Sequence, residues 1–384
     1  MKIAIIYDVA YPFVNGGVEK RNFMFAKSLA EKHEVHLFSM NYWGKDEVLV
    51  KDGIRYHGIY PATDLYTKEG KRKIFPPIGF SIALMRKIFS YDFDVVECSA
   101  FPYFPVFICA LYGLVKKRKV FITWHEYWGK YWKEYLGILG IFGAIIEKIA
   151  LFVSPNIIAV SPKTMRDIIK AGAKQEKISL IGNGVSITEM ELAPPSKETS
   201  DIIFIGRLLK HKNADLLVNA IQEVKTKIPN VFCMIIGKGP EEEKIKSLIK
   251  LNGLEKNVIL KNNVKSEEEL FGLLKSSKVL ISASEREGFG ITIIEAKAAG
   301  IPSITLNHEN NASVDLIKDD GLLFEKNSGD LAEKIIMLLK NKSKHKKFSI
   351  TAKYNAPRFA WSAIAEKFEK HVSGMVVSHE TSFW

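Results

Sequence analysis

The stretch DIIFIGRLLKHKNADLLVNAIQEV, residues 201–224, decides the fold. It opens on a short apolar run at 202–205, bends at Gly206 and carries Arg207 and Lys212 through a polar turn. It then sets Leu216, Leu217, Ala220, Ile221 and Val224 on one face of a helix. A buried strand, a glycine turn and an amphipathic helix, in that order, are the first half of a β-α-β unit. The rhythm continues in both directions. Towards the C-terminus, strand-like runs at 231–236, 258–260, 279–282 and 303–306 alternate with helical ones. Before the break at Pro194-Pro195, runs at 3–7, 35–38, 95–98, 120–123 and 157–160 do the same, with a helix predicted over 18–29. Such alternation predicts α/β architecture, with parallel sheets covered by helices on both faces. Its restart predicts two such domains, which suits a chain of 384 residues. The Gly-, Asn- and Pro-rich segment 181–195 reads as the hinge. A last helical run at 360–372, after Pro357, is expected to cross back to the first domain, with Trp361 and Phe368 as its anchors.

Apolar residues make up 47% of the chain and charged residues 26%, which excludes a disordered, collagenous or disulfide-scaffolded protein. Cys98, Cys109 and Cys233 form no pair motif and read as reduced core residues of a cytoplasmic protein. The opening MKIAIIYDVAYPF reads as a first strand, its apolar run being too short for a signal segment. Two longer apolar stretches, 101–115 and 136–153, are expected to be buried helices. The first contains Pro102 and Pro105, the second is broken by Glu147 and Lys148, and a membrane span needs about 20 mostly apolar residues. The net charge of +12 includes the runs Lys71-Arg72-Lys73 and Lys116-Lys117-Arg118-Lys119. With no nucleic-acid motif beside them, they point to phosphate-bearing small molecules and an anionic membrane surface.

Doubly wound sheets bind ligands outside the carboxyl ends of their strands, so the turns that follow strands hold the candidate residues. Asn15-Gly16-Gly17 leads into a helix whose N-terminal N–H groups suit an anion. Gly206, Arg207 and Lys212 offer a guanidinium fork and a mobile ammonium, a pair that suits a diphosphate. Gly237, in IIGKGP, reads as leaving room for a flat ligand such as a base. His125, in TWHEYWG, closes the strand at 120–123 and is expected to face the ligand. In EREGFGITIIEAKAAGIP, residues 285–302, Glu287 precedes the turn Gly288-Phe289-Gly290, and Glu295 is placed about two turns into the helix that follows. One carboxylate suits the hydroxyls of a sugar, the other the vicinal diol of a ribose, so the set suits a nucleoside diphosphate joined to a sugar. Asp92-Phe93-Asp94 matches a metal-binding Asp-x-Asp string but precedes its strand, at the wrong end, and reads as a loop cap.

These segments, together with GGVEKRNFMFAKSLA and AVSPKTM…IGNGV, resemble family 4 of the retaining glycosyltransferases over nearly the whole chain. The resemblance implies the GT-B fold: two Rossmann-like doubly wound domains facing a central cleft, with a C-terminal helix crossing back. It implies an acceptor-binding domain at 1–184 plus 357–384 and a nucleotide-sugar donor-binding domain at 185–356. The activity implied is that of a retaining hexosyltransferase using a UDP- or GDP-linked sugar, with no metal and no other cofactor. Glu295 would hold the ribose, Arg207 and Lys212 the diphosphate, Gly17 would offer its N–H to the phosphate, and Gly16, Gly206 and Gly237 would belong to the donor site. Glu287 and the turn Gly288-Phe289-Gly290 would touch the donor sugar, and His125 would lie beside the reacting centre. A nucleotide-sugar epimerase of the same fold and a non-catalytic nucleotide-sugar sensor are the rival readings. A dehydrogenase is disfavoured because no Gly-x-Gly-x-x-Gly follows the first strand.

The chain departs from the family at 307–311, where Asn-His-Glu-Asn-Asn replaces a glycine pair, and at Asn213, where glycine is common. Tyr127, Trp128, Tyr131, Trp132 and Tyr135, followed by the apolar 136–142, suit a membrane interface. They lead us to expect a glycan or lipid-linked acceptor and peripheral association with the cytoplasmic face of an anionic membrane.

Overall fold

The computed structural model describes residues 1–14, 16–44, 46–67 and 72–374; Asn15, Lys71 and the end of the predicted 357–384 segment lie outside the described residues. The chain divides into two compact units, Met1–Gly184 with the segment that begins at Trp361, and Val185–Ala360.

The first unit runs β1 (Lys2–Ile6), α1 (Gly17–Ala30), β2 (Glu34–Asn41), β3 (Val48–Lys51), β4 (Ile54–Pro61), α2 (Phe75–Ile88), β5 (Val95–Ser99), α3 (Phe104–Lys116), β6 (Lys119–Trp124), α4 (Tyr131–Leu136), α5 (Gly140–Val153), β7 (Asn156–Ala159), α6 (Pro162–Lys170) and β8 (Ile178–Leu180). Its sheet has the order β3-β4-β2-β1-β5-β6-β7-β8 and is parallel throughout except for the β3–β4 pair. Successive side chains along a strand point to opposite faces. Ile3 and Ile5 of β1 therefore join one core with Phe25 and Leu29 of α1, while Ala4 and Ile6 join another with Phe80 and Leu84 of α2.

The second unit runs α7 (Ile187–Leu192), β9 (Ser200–Ile205), α8 (Ala214–Lys227), β10 (Cys233–Ile236), α9 (Glu242–Leu251), β11 (Val258–Lys261), α10 (Glu267–Lys275), β12 (Ser277–Ser282), α11 (Ile291–Ala299), β13 (Ser303–Leu306), β14 (Gly321–Phe324), α12 (Ser328–Lys340) and α13 (Lys342–Asn355). Its six strands are all parallel, in the order β11-β10-β9-β12-β13-β14. Counted within the unit this is 3-2-1-4-5-6, the doubly wound order whose direction reverses between β9 and β12.

The final helix, α14 (Trp361–Ser373), packs on the first unit, where Phe368 meets Phe25 edge-on at 5.1 Å and Phe121 at 5.4 Å. The return falls at Trp361 rather than Pro357, because residues 356–359 form a 3-10 turn whose Phe359 carbonyl accepts from the Val185 N–H. The predicted hinge is likewise shorter than 181–195, since α7 occupies 187–192.

The two apolar stretches expected to be buried helices are not buried throughout. In α3, Leu114 is 78% exposed and Val115 is 59% exposed. Around α5, Ile138, Leu139, Ile141, Phe142, Ile145, Ile149 and Phe152 are all exposed. By length and composition the stretch Tyr131–Val153 is apolar enough to cross a membrane, yet only 22% of its most apolar window is buried. Glu147, which interrupts that stretch in the sequence, is the residue that points inward. Its carboxylate accepts from the N–H groups of Trp128 and Gly129 at 2.8 Å each and from the Tyr103 hydroxyl at 2.6 Å.

Candidate functional site

In the second unit, three loops meet outside the carboxyl ends of β9, β12 and β13, at the switch point of the sheet. The loop after β9 is braced by β10 and its turn: Gly206 N–H donates to the Ile236 carbonyl at 3.0 Å, and Leu208 N–H to that of Lys238 at 2.9 Å. A Cβ on Gly237 would lie 1.9 Å from the Gly206 carbonyl oxygen, and one on Gly239 would lie 2.3 Å from that of Leu208. These glycines therefore permit close backbone packing: on the side where a side chain would stand, Gly237 meets the loop after β9. Arg207 remains exposed at the surface of the braced turn.

Lys212 closes a 3-10 turn, and Asn213 takes the left-handed conformation, φ 50°, at the start of α8. Asparagine tolerates that conformation, which explains how it replaces glycine. It also adds what glycine lacks: its amide donates to the Ala283 carbonyl at 3.0 Å and to the Glu285 carboxylate at 2.9 Å, tying the loops after β9 and β12 together. The Lys212 ammonium pairs with the Glu287 carboxylate across the same gap. Lys326 binds Glu285 at 2.7 Å; although burial works against it, that ammonium and Asn213 hold the Glu285 carboxyl below the usual range.

Glu287 is gripped along its backbone. Its N–H donates to the Asn310 carbonyl at 3.1 Å, and its own carbonyl accepts from Ala312 N–H at 2.9 Å. The atypical loop 307–311 is thus an ordered bracket for Glu287. Asn311 fixes it by donating to the Leu306 carbonyl at 2.8 Å and accepting from Ser313. Gly290 precedes α11 at φ 103°, a conformation that disfavours any side chain, and a Cβ there would lie 2.5 Å from that of Ser313. Gly288 lies in the turn between them, and Phe289 is buried. Glu295 is the fifth residue of α11, a little more than one turn from its start rather than two, and is 5% exposed.

The first unit brings its loops together in the same way outside β1, β5 and β6. Gly16 precedes α1 in extended conformation, and a Cβ on it would lie 2.3 Å from a carboxylate oxygen of Glu19. The N-terminus of α1 at Gly16 and Gly17 therefore already has a carboxylate beside it, and burial pushes that carboxyl upward. His125 directly follows β6, with Nε2 3.4 Å from the Ser99 hydroxyl. Burial, then the nearby Arg21 guanidinium, hold the imidazole down to about 3, so it is neutral near pH 7.

Behind His125 lies a polar network that pattern reading missed. Asn22 donates to Ser99 at 3.1 Å, and Arg21 donates to Glu97 at 2.6 Å, while Thr123 also donates to Glu97. Arg21 and Glu97 are wholly buried, and Arg21 Nε and Nη2 and Glu97 Oε2 have no hydrogen-bond partner. A charged residue inside the apolar run VVECS was the available signal. A second buried pair, also missed, joins Arg72 to Asp8 at 2.5 Å just beyond β1; burial raises the Asp8 carboxyl, against the opposing pull of Arg72. Asp92 and Asp94 sit before β5, where Arg118 binds Asp92 at 2.8 Å and Lys2 N–H donates to Asp94 at 2.7 Å, so both act as structural caps. Among the described residues no three His, Cys, Asp or Glu side chains come together as a metal site.

The model for Glycosyltransferase Family 4 matches residues 15–189, and that for Glycosyl transferases group 1 matches residues 188–354. Among curated proteins, the chain is 34% identical over 173 residues to a poly(glycerol-phosphate) alpha-glucosyltransferase of Bacillus subtilis (strain 168), covering 43% of this chain and 25% of that one. It is 31% identical over 198 residues to a poly(ribitol-phosphate) alpha-N-acetylglucosaminyltransferase of Staphylococcus aureus (strain COL), covering 50% and 39%. The matches thus span well under half the length of these two relatives. In three dimensions the chain is similar to a sucrose-phosphate synthase of Thermosynechococcus elongatus, with TM-score 0.78 and 18% identity over 97% of this chain and 98% of that one. It is also similar to the Anabaena protein HepE solved with UDP and glucose, with TM-score 0.73 and 18% identity over 97% and 100%. These two likenesses establish a shared fold, GT-B, with two Rossmann-like parallel-sheet domains. With the two family matches running from residue 15 to residue 354 across both units, the chain belongs to the group 1 glycosyl transferases, its first unit carrying the family 4 domain.

Proposed function

We propose that the protein transfers a hexose, with retention of configuration, from a UDP- or GDP-linked donor to a glycan or lipid-linked acceptor. The observation that carries this reading is the Lys212–Glu287 pair at the switch point of the second unit's sheet, with Arg207 in the same loop as Lys212 and α11 starting just after Glu287. Arg207 and Lys212 receive the diphosphate. Breaking the bond between sugar and phosphate leaves negative charge on the departing nucleotide, and fixed cations in place before reaction stabilise it without a metal. Lys212 waits on Glu287, so a diphosphate that draws the ammonium away releases a carboxylate for the sugar. Glu287, held by the bracket at 310–312 and followed by Gly288-Phe289-Gly290, faces the sugar and its developing positive charge. Glu295 accepts from the ribose hydroxyls.

The first unit binds the acceptor. His125, neutral and backed by Ser99, offers a hydrogen bond near the reacting carbon. A phosphate at Gly16 and Gly17 would meet the Glu19 carboxylate that lies beside them, and burial, which raises that carboxyl, eases its protonation. The exposed apolar face of α5, with Lys133 and Lys148 exposed nearby, supports peripheral association with the cytoplasmic face of an anionic membrane.

The test is incubation with a panel of UDP- and GDP-sugars, with and without a membrane extract. The reading expects sugar to appear in a glycan or lipid fraction only when extract is present. An isomerised donor without acceptor would instead identify an epimerase, and tight binding without turnover a sensor.

A further inference from the structure

We propose that a groove in the first unit seats the hydrocarbon chain of a phosphate-headed membrane lipid, the acceptor of the sugar, with Arg72 and Lys73 at its head-group end. This rests on the transferase reading and narrows its acceptor. The groove encloses about 380 Å³ between the start of α2, the turn at 101–104 and the α4–α5 segment. Phe101, Phe104, Trp132, Leu136, Leu139 and Phe142 supply most of its carbon walls. A saccharide there would leave its hydroxyls unpaired, whereas a hydrocarbon chain gains by leaving water. The lip of the groove continues the exposed apolar face of α5, with Leu139 67% and Phe142 65% exposed, so a chain can enter directly from a bilayer.

One end of the groove is polar. Arg72 lines it and spends one guanidinium nitrogen on Asp8, while Arg72 Nε and Asp8 Oδ1 are buried without partners. The Asp8–Arg72 pair balances its own charge, so Lys73 beside it supplies the net attraction for a phosphate. Exposed Lys130, Lys133 and Lys148 and the net charge of +12 match the sign of an anionic head group. Asp8 lies in the loop after β1, the loop that also carries Gly16, so a head group held there lies at the sheet end where the acceptor is needed.

The test titrates the full chain with phosphatidylglycerol vesicles whose acyl chains carry bromine, a contact quencher of tryptophan, and with unbrominated vesicles. We expect quenching only by the brominated lipid, and Trp132→Phe should remove most of it. Leu139→Glu and Phe142→Glu, at exposed positions that leave the circular dichroism unchanged, should each raise the lipid needed by at least about tenfold. Lys73→Gln should weaken binding to phosphatidylglycerol and leave any binding to phosphatidylcholine unaltered. Equal quenching in wild type and both glutamate variants, or vesicle binding without quenching, overturns the proposal. So does a wild-type dimer that Phe142→Glu dissociates with no lipid quenching, which would assign the face to a second copy of the chain. Nucleoside diphosphate affinity, measured on the same samples, separates the two readings. Lost lipid binding with unchanged nucleotide affinity in the glutamate variants supports the groove, while a wild type that seats lipid but binds no nucleotide overturns its role as acceptor site.

Discussion

Lys212 and Glu295 carry the clearest consequences at the residue scale. A charge-assisted hydrogen bond contributes about 1.5–3 kcal/mol, so Lys212→Ala and Glu295→Ala should each weaken donor binding by at least about tenfold in calorimetric titration. Unchanged affinity in both would remove the site assignment. His125 carries a consequence in pH. Its folded value, held down to about 3, lies below its unfolded one, so the unfolded chain binds the extra proton between the two. Stability linked to this histidine is complete above the unfolded value near 6.5 and falls as pH drops towards about 3. The His125 ring resonance should therefore stay in its neutral position from pH 8 to pH 5, whereas titration near 6.5 would show the ring to be solvated. The placement of Glu287, Arg207, Lys212 and His125 beyond strand ends was legible in the sequence, because each follows a short apolar run. The pairing of Arg21 with Glu97 was not, because its meaning lies in a contact across 76 positions that no local pattern contains.

The loops are the sharpest objects at the scale of elements. Gly237 has φ 153° and faces the Gly206 carbonyl, so Gly237→Ala should cost about 2 kcal/mol or more by forcing two backbones apart. A lowered melting temperature together with weaker donor binding is expected; an unchanged melting temperature would mean that the loop gives way freely. The strand-helix alternation was readable because period and length report burial directly in parallel sheets. Strand β3 escaped because it lies at the sheet edge and exposes most of its residues. The apolar α5 was misread for the opposite reason. Composition reports what a segment is able to bury, and α5 turns Glu147 inward while leaving Ile141, Ile145 and Ile149 outside.

At the scale of the whole molecule, the chain is two units joined at 184–185 and 360–361, with α14 completing the first. Phe368 is fully buried against Phe25 and Phe121, so Phe368→Ala should destabilise that unit by about 3–5 kcal/mol. Hydrogen exchange should then show lost protection in β1 and β6 and unchanged protection in β9 and β12; equal losses in both units would mean that they unfold as one. The two-unit organisation was legible in the restart of the strand-helix rhythm, although the boundaries moved by a few residues where a 3-10 turn and α7 took the place of the expected linker.

The most direct measurement is a crystal structure of the protein with a bound nucleoside diphosphate. The account predicts the diphosphate on Arg207 and Lys212, the ribose hydroxyls on Glu295, and the Glu287 carboxylate released from Lys212 towards the place of the sugar. A nucleotide bound elsewhere, or one whose phosphates leave the Lys212–Glu287 pair intact, would contradict it.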